Sequence, residues 1–191
     1  MTTQSTNTFL PRRGNYRKLI VYQKAECIYD ITYYFAHKYL EKGDRTIDQM
    51  IQAARSGKQN IAEGSAASTT SKEMELKLTN VAKASLQELM ADYEDFLRVR
   101  GLEQWPTDSA KTQQTRKACI EHSDSAYYRK AITLRNEETI ANIAITLIHQ
   151  TDVMLTRLIE KQKGDFLTKG GIKEEMYKAR TEWRKNNQNK I

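Results

Sequence analysis

Apolar residues that return every third or fourth position, over several long stretches, constrain this chain more than any other feature. From Tyr16 to Lys42 they fall at Leu19, Tyr22, Ala25, Ile28, Ile31, Phe35 and Tyr39, which places them on one face of a helix that Gly43 ends. A second stretch carries Ile47, Met50, Ile51, Ala54 and Ile61, and a third Leu78, Val81, Ala82, Ser85, Leu89, Tyr93 and Phe96. The third, about 30 residues long, makes a rod of roughly 45 Å, closed by Gly101 and the later Trp-Pro pair. A fourth repeats Ile140, Ala144, Leu147, Thr151, Met154 and Leu158 at alternating steps of four and three. Rods of this length need few turns, and the chain of 191 residues holds only 8 glycines and 2 prolines. A sheet-based fold would need more. The chain reads as all-α.

The expected boundaries follow from capping chemistry. Thr46 with Gln49, and Thr70 with Glu73, have the spacing of reciprocal capping pairs. Gly64 is placed to end the second helix and Asn136 to cap the fourth, which is expected to run to about Lys163. Between Thr107 and Arg135, "SAKTQQTRKACIEHS" can make a short helix, whereas "DSAYYRKAITLR" has no clear period and reads as an irregular connection. "GDFLTKGG" reads as a loop before a last helix with Ile172, Met176, Ala179 and Trp183 along one face, apolar enough to dock. The expected organisation is a basic N-terminal tail over 1–15, an up-and-down antiparallel four-helix bundle over 16–163, and an additional C-terminal helix within 164–191.

Cys27 and Cys119 are the only cysteines, and the N-terminal residues lack an export-type apolar run, so free thiols in a reducing cytoplasm are expected. The longest apolar run, "IANIAITLI", falls short of the roughly 18 residues of a membrane span. The net charge of +7 is concentrated at the two ends. Residues 1–24 carry Arg12, Arg13, Arg17, Lys18 and Lys24 with no acid, and residues 161–191 carry nine bases against four acids. Such ends attract nucleic acid or stay solvated as tails.

Three segments carry a resemblance: "YQKAECIYDI" from Tyr22, "QMIQAARSGKQNIAEG" ending at Gly64, and "VAKASLQELMADYEDFL" from Val81. They resemble the four-helix bundle proteins encoded in intervening sequences of bacterial 23S ribosomal RNA genes, a family that includes the accessory protein of diversity-generating retroelements. "NIAITLIHQTDVML" and "DFLTKGGIKEEMYKAR" look like its four helix bundle suffix domain branch. The likeness spans about Leu19 to Arg180. It implies a left-handed bundle, often assembled as a ring-like homopentamer, with no catalytic activity, and for the retroelement members binding to nucleic acid and to a reverse transcriptase. Two positions depart from the pattern. Lys58 stands where relatives often have proline, and Ile51 with Gln52 stands where they often carry a basic pair. Arg55 and Lys58 are therefore the nearby cations that carry over.

The motif Asn60, Glu63 and Gly64 lacks the glycines and the lysine of a phosphate loop. A structural role is expected, Asn60 and Glu63 bonding to neighbouring backbone or to a cation on another helix, so that Glu63→Ala should cost folding or assembly. Cys119 and His122 have a zinc-like spacing but too few companions for a structural site. His149 near Asp152 has the form of a base with its orienting carboxylate, yet no nucleophile accompanies it, and a polar seam position is the better reading. Glu73 with Glu75 and Glu137 with Glu138 suit first helical turns, where they offset the dipole. No cofactor or metal is expected. Tyr33, Tyr34 and Tyr39, with Tyr127 and Tyr128, can stack on bases or bury at a subunit interface, and the interface is favoured.

These residues point to a non-enzymatic, oligomeric, cytoplasmic bundle that binds nucleic acid, RNA above all, or a partner that handles it such as a reverse transcriptase. The expected contacts are Arg12, Arg13, Arg17 and Lys18 at one end, Arg55 and Lys58 on the second helix, and Lys173, Lys178, Arg180, Arg184 and Lys185 at the other end. The alternative is a protein scaffold whose last helix docks a partner through Met176 and Trp183.

Overall fold

A computed structural model describes residues 15–187. Its regular elements are all helical: a 3-10 turn at Tyr16–Lys18, then α1 (Ile20–Tyr39), α2 (Arg45–Ala67), α3 (Lys72–Val99), α4 (Ala110–Glu121), α5 (Ser125–Ile132), α6 (Glu137–Lys169) and α7 (Ile172–Asn187). Five of the helices start where a short polar side chain takes an otherwise orphaned amide. Thr46, Met74, Thr112, Tyr127 and Thr139 donate their backbone N–H to Asp44, Ser71, Ser109, Asp124 and Asn136 at 2.8–3.2 Å. Asn136 caps as expected. At the other two expected starts the cap is a neighbour, Asp44 in place of Thr46 and Ser71 in place of Thr70. In both cases the side-chain oxygen that reaches the first turn belongs to a residue still in extended conformation.

α1, α2, α3 and α6 contact one another in cyclic order, α1 on α2, α2 on α3, α3 on α6 and α6 on α1. Neighbours run in opposite senses. Along α3, Thr79, Lys83 and Gln87 reach Gln162, Thr156 and Asp152 of α6, the partner number falling as the first rises. Ser56 meets Ser85 across α2 and α3 at 2.9 Å. Buried Ile28, Ile31, Phe35, Met50, Ala54, Leu86, Leu89, Tyr93, Leu147 and Leu155 fill the centre. Phe35 packs its ring on Tyr93 and Phe96, and the Tyr93 hydroxyl donates to Thr32 Oγ1 at 3.0 Å, so the buried phenol keeps a partner. Val81, expected on the α3 seam, is instead exposed, and Leu86 and Leu97 are buried in that helix.

The segment between Thr107 and Arg135 is a second helical layer: α4 is the short helix expected in its first half, and the half expected to be irregular is helical too, as α5. α4 lies on α6 and α5 lies on α1. That layer explains why every residue from Ile140 to Ile148 is buried, on all sides of its helix, and why α1 buries Lys24 and Cys27 in addition to its seam. Asn142, buried within this apolar run, holds the approach to α4: it accepts from the Trp105 amide at 2.8 Å and donates to the Glu103 carbonyl at 2.8 Å.

Gly64 does not end α2. It lies buried inside the helix, where an added Cβ would stand 3.3 Å from the Glu75 carbonyl oxygen and 3.4 Å from Leu78 Cβ. The missing side chain lets α2 and α3 approach. α6 likewise runs past Lys163 to Lys169, leaving only Gly170, at φ 76°, and Gly171 as the link to α7. No residue of α7 is buried, and its apolar face, expected to dock, is uncovered: Met176 is 52% and Trp183 68% exposed.

Candidate nucleic-acid interface

Helix direction decides which of the expected cations meet. α1 starts beside the last turns of α6, since Leu19 and Leu158 line one small cavity with Gln162. α3 starts at that same end, where Gln162 Nε2 donates to Glu75 and Thr79, and α7 departs from there. Arg17 and Lys18, exposed on the 3-10 turn, therefore lie at the end from which Lys173, Lys178, Arg180, Arg184 and Lys185 extend, all exposed on α7. Arg12 and Arg13 lie outside the described residues. Arg55 and Lys58 form a separate pair halfway along α2, Arg55 exposed and Lys58 half-buried.

Ion pairs take up part of the cationic surface and leave these groups free of it. Lys72, Lys77, Lys83, Arg98, Lys111, Arg129 and Lys163 each form an ion pair with a carboxylate within 4 Å. Among the described residues none of the nine expected cations does. Lys173 feels the charge of Glu73, whose carboxyl is held below its ordinary range first by the ion-paired Lys77. Arg17 lies 5.7 Å over the Tyr16 ring, and contact with that phenol holds its proton more firmly than usual.

Lys24 departs from the expectation. It is 1% exposed, and its ammonium donates to the carbonyls of His122, at 2.6 Å, and Cys119. Those carbonyls close α4, where a helix leaves acceptors unpaired and the dipole favours a cation. Burial lowers the Lys24 pKa from its ordinary value, offset in part by Cys119 and Cys27. This lysine fastens α4 to α1 and contributes nothing to a surface. Burial also pushes the Cys27 thiol up to about 12, and the Cys119 thiol and the Tyr128 phenol upward.

Asn60 bonds within its own helix, donating to the Ser56 carbonyl at 2.9 Å and to Ser56 Oγ at 3.1 Å, and through Ser56 it joins the contact with Ser85. Glu63 is exposed and has no hydrogen bond or ion pair among the described residues, contrary to the expected anchoring role. His149 is exposed while Asp152 faces α3, accepting from Gln87 at 2.9 Å, so the two do not act as a base and its carboxylate. His122 stacks on Tyr127 with centroids 3.6 Å apart.

The tyrosines divide. Tyr128 is buried, Tyr127 is spent on His122, and Tyr39 packs on Phe35 while donating to the Arg135 carbonyl at 3.0 Å. Tyr33 and Tyr34 stay at the surface of α1 beside Tyr29, which sequence reasoning missed. The signal was its position four residues before Tyr33.

Fold and surface together define an all-α protein with unpaired cations at one end. Among the described residues no helix is long and apolar enough to cross a membrane, and no group of three or more metal-ligating side chains is placed to hold an ion. No protein-family model, curated protein or solved structure matches this chain.

Proposed function

We propose that this chain is a non-enzymatic, cytoplasmic, self-associating helical protein of the intervening-sequence kind, which binds RNA, or a partner that handles RNA such as a reverse transcriptase, through phosphate contacts. The observation that carries the reading is the clustering of cations: Arg17 and Lys18 share one end of the molecule with Lys173, Lys178, Arg180, Arg184 and Lys185 of α7, all exposed and none within 4 Å of a carboxylate among the described residues. A polyanion supplies the missing countercharge, and self-association multiplies a modest patch by avidity.

The test is fluorescence anisotropy with a labelled single-stranded RNA at increasing salt. Affinity should fall steeply between about 50 and 200 mM, with a log–log slope of about −0.7 per phosphate neutralised. Replacing Arg17, Lys18, Lys173, Lys178, Arg180, Arg184 and Lys185 with alanine should flatten that slope. Binding that is insensitive to salt, or that survives the replacements, refutes the proposal.

A second reading rests on the uncovered apolar face of α7. There the chain is a scaffold that docks a protein through Met176 and Trp183. Trp183→Ala separates the two readings, because a scaffold loses its partner while a phosphate binder keeps most of its RNA affinity.

A further inference from the structure

On the outer face of α1, Tyr29, Tyr33 and His37 follow one another at intervals of four residues. Their rings form a continuous stripe, with centroids 6.3 Å apart for Tyr29 and Tyr33 and 4.3 Å apart for Tyr33 and His37. Tyr33 is 51% exposed. The stripe lines an open groove of about 740 Å³. Cations flank it on both sides. Lys58 of α2 stands 4.4 Å over the Tyr29 ring, and Lys38 stands 5.0 Å over Tyr34, to whose hydroxyl it donates at 2.7 Å. The carboxylate that lines the groove, Asp30, is covered: Ser125 donates its hydroxyl to it, and Arg129 pairs with it at 3.4 Å.

We infer that this stripe is a stacking platform for an unpaired nucleic-acid strand, Tyr29, Tyr33 and His37 receiving bases while Lys38 and Lys58 neutralise the phosphates beside them. Aromatic rings between cations are what a sequence-tolerant single-strand site requires, because every base has a π-face and every linkage a charge. The spacing favours the unpaired form. The rings stand 6.3 Å and 4.3 Å apart, wider in both steps than the rise of about 3.4 Å per strand between bases in a duplex, so they suit bases that are not held in a regular stack. The platform deepens the proposed RNA-binding reading and rests on it. It also gives Lys58, remote from the basic end, a place in the same activity.

The experiment compares the full chain with Tyr29→Ala/Tyr33→Ala and with Tyr33→Phe, using a fluorescein-labelled 12-nucleotide oligouridylate and a duplex RNA of equal length. Circular dichroism and light scattering accompany each binding curve. The platform predicts tighter binding to the single strand than to the duplex, a loss of about fivefold or more in the double variant at fixed salt, an unchanged salt slope, and near wild-type binding by Tyr33→Phe. Wild-type binding that the double variant leaves intact overturns the platform while leaving the cationic reading standing. A double variant that loses self-association identifies the stripe as a subunit contact and overturns the platform. Absence of binding to either probe by the wild-type chain overturns both.

Discussion

At the scale of single residues, the side chain that sequence reasoning placed least well is Lys24. A lysine near a basic terminus reads as solvated, and nothing in its neighbours indicates that a helix almost a hundred residues later ends against it. Lys24→Met should keep most of the packing volume but leave the Cys119 and His122 carbonyls without their donor. The expected loss is on the order of 1–3 kcal/mol, read from the urea midpoint. The same cluster shapes the alkaline response. Cys27 holds its proton in the fold up to about pH 12 against an ordinary value of 9.0, so between those values the native state binds more protons than the unfolded chain, and stability falls as pH rises. Lys24 works in the opposite direction. Its native pKa is depressed below 10.5, so from that lowered value up to 10.5 the unfolded chain binds more protons and stability rises with pH. Melting temperatures between pH 8.5 and 11 should therefore decline less steeply in Cys27→Ala than in the wild type, and more steeply in Lys24→Met. Glu63 is the converse of Lys24, a residue whose motif context suggested an anchor but whose side chain lies in solvent. Glu63→Ala should alter unfolding free energy by no more than about 0.5 kcal/mol.

At the scale of helices, the stripes with a three-and-four period were legible because each long helix has a solvent face to set off its buried one. The period shows less clearly where a helix is covered on both sides. The segment of α6 from Ile140 to Ile148 is buried all round for that reason, and α4 and α5 bury only Thr112, Cys119, Tyr128 and Ile132, too few to mark a face. Glycine was ambiguous in the same way. Gly64 reads equally as a stop or as a point of close approach, and only the position of α3 decides. Gly57 makes the tighter contact: a Cβ there would stand 2.6 Å from Leu86 Cδ2 and 2.8 Å from its Cγ, and Leu86 is fully buried. Gly57→Ala would gain about 1 kcal/mol of helix propensity in an isolated peptide. In the protein it should instead destabilise by about 1–3 kcal/mol, because a packed leucine must leave its position; chemical denaturation reads the sign directly.

At the scale of the molecule, the all-α class, the four long rods and the basic character of the ends were all contained in the residue pattern. The second layer was not, nor was the separation of the cations into one group at the end and another on α2, since both depend on which helices lie side by side. The stripe on α1 was only half visible for the same reason: Tyr33 and Tyr34 stand out in the sequence, while Lys58 joins them only through the α1–α2 contact. Layering also sets how each part of the chain exchanges with water. The amides from Ile140 to Ile148 sit behind α1, α3 and the α4–α5 layer, and those of α7 behind nothing. In deuterium oxide, α7 should label within the first seconds, and the buried half of α6 should label only as fast as the whole molecule opens. The slowest peptide in such a measurement would then report global unfolding, giving an internal gauge against which every variant and every bound strand can be ranked.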